Sequence, residues 1–233
     1  LPQLIQELAK QITMIEIGIM GGAFNPIHSR HLMVAQAAID QLGVSKVIFV
    51  PSGEPPHKKT GMLDKEARFR MVKAACAGNR HFVASRVEID RPGPTWTIDT
   101  LKQFKQEFER KFGPAQTVRL NFIIGEDNLP ILRDYDRRAE FLSLCRLVVS
   151  PRATCDAAAL ERWQEVLPEA DIAILEVPAN EVSSTLIRNW IDAGHSVRYL
   201  VHEAVYRILM REGYYAPRKN LAMAGVVRKR KKT

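Results

Sequence analysis

Cysteine is scarce in this 233-residue chain. Cys76, Cys145 and Cys155 are scattered, odd in number and form no C-x-x-C pair, which excludes a disulfide framework and favours a reducing compartment. No apolar run approaches the roughly 18 residues that would suggest a membrane span. Residues 1–13 read as a short amphipathic helix, without the basic start, apolar centre and small-residue cleavage site of a secretory signal. The expectation is therefore a cytoplasmic protein that does not engage a membrane. Two familiar phosphate-binding signatures are also missing, G-x-x-x-x-G-K-[ST] and G-x-G-x-x-G. Their absence removes support for a lysine-cradled triphosphate and for hydride chemistry on a Rossmann turn. Acidic residues are absent from 218–233, which hold seven of the chain's basic side chains. The formal net charge is +8, so those seven leave +1 for the rest. The basicity belongs to a tail. We read that tail as a solvated end in preference to a nucleic-acid contact.

Hydrophobic residues make up 46% and charged residues 26%, an ordinary globular mix with enough length for a sizeable core. Strand and helix signals alternate. Ile15–Met20, Lys46–Val50, Val118–Ile124 and Cys145–Ser150 are compact apolar runs, and His81–Ile89 and Ile172–Val177 read as extended. Helical spacing marks Ser29–Leu42, Lys65–Ala77, Thr97–Phe112, Cys155–Val166, Ser184–Ala193 and His202–Glu212. Within Thr97–Phe112, the apolar stripe is Ile98, Leu101, Phe104, Phe108 and Phe112. This order predicts an α/β fold: a Rossmann-like, doubly wound, mostly parallel sheet with a small C-terminal helical subdomain. The expected division is a domain over 14–217, its helical part at 182–217, an extension at 1–13 and the tail at 218–233.

The richest stretch is Gly21-Gly22-Ala23-Phe24-Asn25-Pro26-Ile27-His28-Ser29-Arg30-His31. It joins a strand to a helix. Small residues let a backbone approach an anion, and the helix start offers unpaired N–H groups and a positive dipole end. His28 and His31 are three apart, so both rings share one helix face. A second stretch, Val182-Ser183-Ser184-Thr185-Leu186-Ile187-Arg188, opens a helix with three hydroxyls. Ser183 suits a cap. Arg188 lies four residues past Ser184 and offers a planar fork for phosphate. Polar loops after other strands, Pro51-Ser52-Gly53 and Gly125-Glu126-Asp127, should converge on the same crevice. Asp64, Glu66, Arg68 and Arg70 read as solvated charges at a helix start.

Together GGAFNPIHSRH and VSSTLIR resemble the paired signatures of the nucleotidyltransferase α/β phosphodiesterase family, G-G-x-F-[DN]-P-x-H-x-x-H and [IV]-S-S-T-x-[IL]-R. Three more segments are similar to those of the bacterial nicotinate mononucleotide adenylyltransferases: Pro55-Pro56-His57-Lys58, Thr95 to Leu101, and Ile123 to Leu129. The resemblance runs from about Ile15 to Tyr215. It implies transfer of the adenylyl group of ATP to nicotinate mononucleotide, giving deamido-NAD and pyrophosphate. The alternatives are an adenylyltransferase for another phosphate ester, such as nicotinamide mononucleotide, and a non-catalytic nucleotide- or RNA-binding relative.

What the resemblance implies for residues is specific. His28, His31 and Arg188 carry catalysis, with His31 at the bridging oxygen that leaves. ATP is held by Gly21, Gly22, Ala23, Phe24, His28, His31, Gly125, Asp127, Ser183, Ser184 and Arg188. Asp127 accepts from the ribose, and Mg²⁺ binds through the ATP phosphates, with no metal held by the protein. The acceptor is met by Lys58, Trp96, Thr97 and Tyr135. Departures from the pattern are Ala23 for Thr or Ser, Trp96 for Tyr, Tyr135 for a frequent Trp, and Arg30 where glycine usually precedes the second histidine.

Overall fold

A computed structural model describes residues 13–54, 61–113, 116–152 and 158–216. The extension at 1–12, the loop carrying Lys58, Cys155 and the basic tail lie outside them. Six strands form one sheet: β1 (Thr13–Gly22), β2 (Lys46–Pro51), β3 (Phe82–Ala84), β4 (Gln116–Gly125), β5 (Arg146–Ser150) and β6 (Ile172–Ile174). Their spatial order is β3-β2-β1-β4-β5-β6, and every pairing is parallel. The expected "mostly parallel" sheet is thus wholly parallel. Among the described residues eight α-helices connect or flank the strands: α1 (Ser29–Leu42), α2 (Lys65–Cys76), α3 (Thr97–Phe112), α4 (Leu129–Arg133), α5 (Arg138–Leu142), α6 (Ala159–Val166), α7 (Ser184–Asp192) and α8 (Glu203–Glu212). Among the described residues no helix is long and apolar enough to cross a membrane.

The strands are apolar because both faces are covered. One face packs Val47, Phe49 and Ile123 against α1, α2, α7 and α8. The other packs Ile17, Ile48, Leu120 and Leu147 against α3 and α6. The expected stripe of α3 is buried at Ile98, Leu101 and Phe104, and Phe108 packs at its edge. Helix ends follow local chemistry. Asp64 accepts from Ala67 N at 2.9 Å and Ser183 from Leu186 N at 3.2 Å, each satisfying an orphan N–H. Gly43 and Gly213 close α1 and α8 with φ of 65°, a conformation other residues adopt reluctantly.

Two extended segments are shorter than their sequence suggests. β3 stops at Ala84 because Ser85 Oγ accepts from Val87 N and Asp90 N bonds back to Arg86 O, which turns the chain off this edge. β6 stops at Ile174: Leu175 N still donates to Val149 O at 3.0 Å, but Glu176 N donates to Gln41 Oε1 at 3.0 Å and leaves the sheet. Between β4 and β5 the chain makes a 3₁₀ turn at Glu126–Asn128 and two short helices, elements without a periodic signature.

Winding reverses between β1 and β4. The connection through α1 covers one face and that through α3 the other, so a crevice opens beyond the carboxyl ends of these neighbouring strands. That crevice is where the glycine-histidine turn lies.

Candidate active site

A cleft of about 410 Å³ opens at the carboxyl ends of β1, β4 and β5. Its floor is Met20, Gly21, Gly22, Phe122 to Gly125 and Ser150, and its walls are His28, Arg30, His31, Asp127, Arg152, Ser183 and Ser184. Residues from both signature stretches therefore share one cavity. The stretches also touch: Ser184 Oγ donates to Pro26 O at 2.8 Å, and Arg188 Nη1 to Asn25 O at 2.8 Å. Asn25 is a hub, its Oδ1 accepting from Leu63 N at 3.2 Å and Tyr215 Oη at 2.6 Å.

The imidazoles are held as a pair. Ring centroids of His28 and His31 lie 3.7 Å apart. His28 N donates to His31 Nδ1 at 3.2 Å, which leaves the His31 proton on Nε2. His28 Nδ1 is buried and has no partner among the described residues. Burial, reinforced by the Arg30 and Arg152 cations, lowers His28 to a pKa of about 3. Burial pushes His31 well below its ordinary 6.5, and His28, Arg30 and Arg152 add to the effect. Both rings are thus neutral at physiological pH in the free protein, and each offers a single N–H donor. Positive charge in the cleft comes from arginine.

A stability cost follows at acid pH. The unfolded chain binds a proton at His28 with the ordinary pKa of 6.5, the folded chain only near 3. Between those values the unfolded state holds more protons, so stability rises with pH. It falls as pH drops below about 6.5, and His28 alone removes about 2 kcal/mol by pH 5. Urea unfolding of the wild type at pH 7.5 and 5 should show this loss, and a His28→Asn variant should show it reduced. An equal loss in the variant would refute it.

Glycine is needed at different places for different reasons. A Cβ at Gly53 would sit 2.0 Å from the backbone Glu88 O, so the protein itself requires that glycine, whereas one at Gly125 would meet only the movable tip of Asp127, Oδ1 at 2.6 Å. At Gly21 and Gly22 the nearest atom to such a Cβ is 3.6 Å away, an ordinary contact. Those contacts are with the Phe122 and Phe24 rings, and both glycines line the cleft, where their backbone is open to a ligand. Gly21→Ala, whose Cβ would stand beside the cleft-lining Phe122 ring, should fold with an unchanged melting temperature and raise the KM for the nucleotide several-fold, and an unaltered KM would remove this role.

Several expected residues sit elsewhere. The Phe24 ring, expected to touch nucleotide, is 2% exposed. It packs edge-on to His31 at 5.0 Å and tilts against Phe49 at 6.0 Å, so it buttresses the imidazole. Ala23 also lies off the cleft lining; its carbonyl accepts from Arg68 at 2.8 Å. Arg188 is not among the lining residues, because Asn25 O and Thr185 Oγ1 hold its two terminal nitrogens. Asp127 lines the cleft and pairs with Arg152 at 2.7 Å. Trp96 is 42% exposed at the start of α3, and Thr97 is that helix's first residue. Tyr135 stands edge-on to Phe141 at 6.5 Å. Trp96, Thr97 and Tyr135 belong to the α3 side of the sheet, across the crevice from the imidazoles. Lys58 is outside the described residues.

Sequence reasoning missed three residues and noted a fourth, Arg30, only as a departure from the family pattern. Arg68, read as solvated, is 1% exposed and bonds to backbone carbonyls of Ala23, Ser52, Gly53 and Leu63. The helical period placed it on the buried face beside Val72 and Ala75, which was the available signal. Ser150 ends β5, 2% exposed, with Oγ unpartnered among the described residues; its place at a strand's carboxyl end pointed to the crevice. Arg152 follows two residues later and supplies charge. Arg30 lines the cleft although buried. The described cysteines are free and buried, and burial pushes the thiols of Cys76 and Cys145 up to about 12, so they are core residues.

Comparison with known proteins agrees with this geometry. The cytidylyltransferase-like family matches residues 19–190. A probable nicotinate-nucleotide adenylyltransferase of Caldicellulosiruptor bescii is 38% identical, over 86% of this chain and 99% of the relative. One of Moorella thermoacetica is 40% identical, over 87% of this chain and 92% of the relative. The Plasmodium falciparum nicotinic acid mononucleotide adenylyltransferase, solved in complex with NaAD, shares the fold with a TM-score of 0.69 at 15% identity, covering 86% of this chain and 97% of that one. The chain belongs to the cytidylyltransferase-like family of nucleotidyltransferases, among relatives described as nicotinate-nucleotide adenylyltransferases.

Proposed function

We propose that this protein transfers the adenylyl group of ATP to nicotinate mononucleotide, forming deamido-NAD and releasing pyrophosphate in NAD biosynthesis, in the cytoplasm. The observation that carries the reading is the joining of both signature stretches around one cleft, with Ser184 bonded to Pro26 and Arg188 to Asn25. Relatives at 38% and 40% identity, aligned over most of the chain, bear that name.

The chemistry asks for no general base. The acceptor phosphate monoester is already deprotonated and attacks the α-phosphorus of ATP in line, so positioning and charge neutralisation suffice. The N–H of His31 donates to the bridging oxygen as charge grows there, and His28 holds a neighbouring phosphate oxygen. Gly21 and Gly22 admit the nucleotide close to the backbone. Ser183, Ser184 and Arg188 hold the β- and γ-phosphates; Arg188 reaches them by exchanging its contact with Asn25 O. Asp127 accepts from the ribose. On the acceptor side, Lys58 neutralises the mononucleotide phosphate, Trp96 and Tyr135 border the pyridine, and Thr97 binds the carboxylate. No cluster of three His, Cys, Asp or Glu side chains suited to a metal exists among the described residues. Mg²⁺ would be carried on the ATP phosphates, where it would offset their charge.

The test is a coupled assay of purified protein with ATP, Mg²⁺ and each pyridine mononucleotide. Pyrophosphate release with deamido-NAD formation, and a kcat/KM at least about tenfold higher for the nicotinate form, are the expected results. No release with either acceptor overturns the function; equal kcat/KM overturns the carboxylate site.

A further inference from the structure

Arg30 occupies the second position of α1, between the imidazoles in sequence. It is 8% exposed yet lines the cleft. Its Nη2 donates to Pro151 O at 2.6 Å and its Nη1 to Asn180 O at 2.5 Å. These carbonyls belong to different walls. Pro151 follows β5 and leads into Arg152. Asn180 precedes the Ser183 cap, and its own Oδ1 fixes Val182 N at 2.8 Å. One planar fork therefore joins three chain segments around the cavity.

Both acceptors are neutral. Among the described residues no carboxylate stands within ion-pair distance of Arg30. The nearby acids, Glu126 and Asp127, are taken by Arg152, whose N bonds Glu126 Oε1 at 2.6 Å and whose Nη2 bonds Asp127 Oδ2 at 2.7 Å. A buried guanidinium bonded only to carbonyls, with its charge offset only through space by acids that Arg152 also holds, is costly to bury, and burial and the Arg152 cation lower its pKa; an anion would relieve that cost. The cleft also holds two buried polar atoms without partners, His28 Nδ1 and Ser150 Oγ, as expected where a polar ligand completes the site.

We propose that Arg30 is a positioning residue for the triphosphate: its fork fixes the Pro151 and Asn180 walls, and its desolvated charge attracts the polyphosphate. The site it serves is the one proposed for adenylyl transfer, but the test does not require that reaction. Calorimetric binding of inorganic tripolyphosphate and of ATP is compared for the wild type, Arg30→Met and Arg30→Lys. The methionine variant should bind both at least about tenfold more weakly. Lysine keeps the charge but cannot bridge two carbonyls, so it should recover only part of that loss. In the coupled assay, the KM for ATP should rise more than kcat falls, while the KM for the acceptor stays within about twofold. Affinities of the methionine variant within twofold of wild type overturn the proposal. If that variant fails to fold, wild-type affinity in the lysine variant overturns the fork. A wild type that binds tripolyphosphate through Arg30 yet releases no pyrophosphate would refute the proposed reaction and leave this inference standing.

Discussion

His31→Ala is expected to lower kcat by about two to three orders of magnitude, with folding intact. The ring is neutral, and its Nδ1 is occupied by the His28 backbone N–H at 3.2 Å. Its remaining N–H is therefore a fixed donor, oriented by that bond and by the edge of Phe24 at 5.0 Å. A donor aimed where charge develops stabilises the transition state more than the bound substrate, so kcat should suffer more than KM. Burial holds the ring well below its ordinary 6.5, so kcat/KM should not fall with a histidine titration near 6.5. The check is steady-state kinetics beside circular dichroism of the variant. Turnover within threefold of wild type would remove His31 from the mechanism.

Arg68→Met should destabilise the fold by about 3–5 kcal/mol. The guanidinium is 1% exposed. It donates from Nε to Leu63 O at 3.1 Å, from Nη1 to Ala23 O at 2.8 Å, and from Nη2 to Ser52 O at 2.7 Å and Gly53 O at 3.2 Å. Four carbonyls from the turn after β1, the turn after β2 and the approach to α2 converge on it. Methionine fills similar volume but leaves those acceptors buried and unmade. Lysine should restore only part, because an ammonium cannot span three segments. Urea midpoints at neutral pH measure the effect, and a midpoint equal to wild type would show that water replaces the arginine. Activity should fall with stability, since Ala23 and Ser52 flank the glycine-histidine turn.

Much of the site was legible because its chemistry is written locally. A strand, two glycines, a proline and two histidines at helical spacing describe a phosphate turn before any coordinates exist. Ser183 as cap and the stripe of α3 follow from rules that span a few residues. What local rules misjudge is the fate of long cations. From sequence, Arg30 reads as a departure from the family pattern, Arg68 as a solvated charge and Arg188 as a phosphate fork. Tertiary packing sends the first to Pro151 and Asn180, the second into the core and the third onto Asn25. Phe24 was misjudged for a related reason: an aromatic beside a ligand turn can face ligand or core, and its neighbours in space decide.

The sequence alone determined the alternation of strand and helix, the parallel sheet and the two motifs, because each depends on periodicity or on the conformations a few adjacent residues allow. Only the tertiary structure decided that the histidines are neutral and that Arg30 and Arg152, from two separate segments, supply the positive field. Desolvation and Coulomb interactions act through space over several ångströms, between residues such as His28 and Arg152 that the chain order keeps far apart.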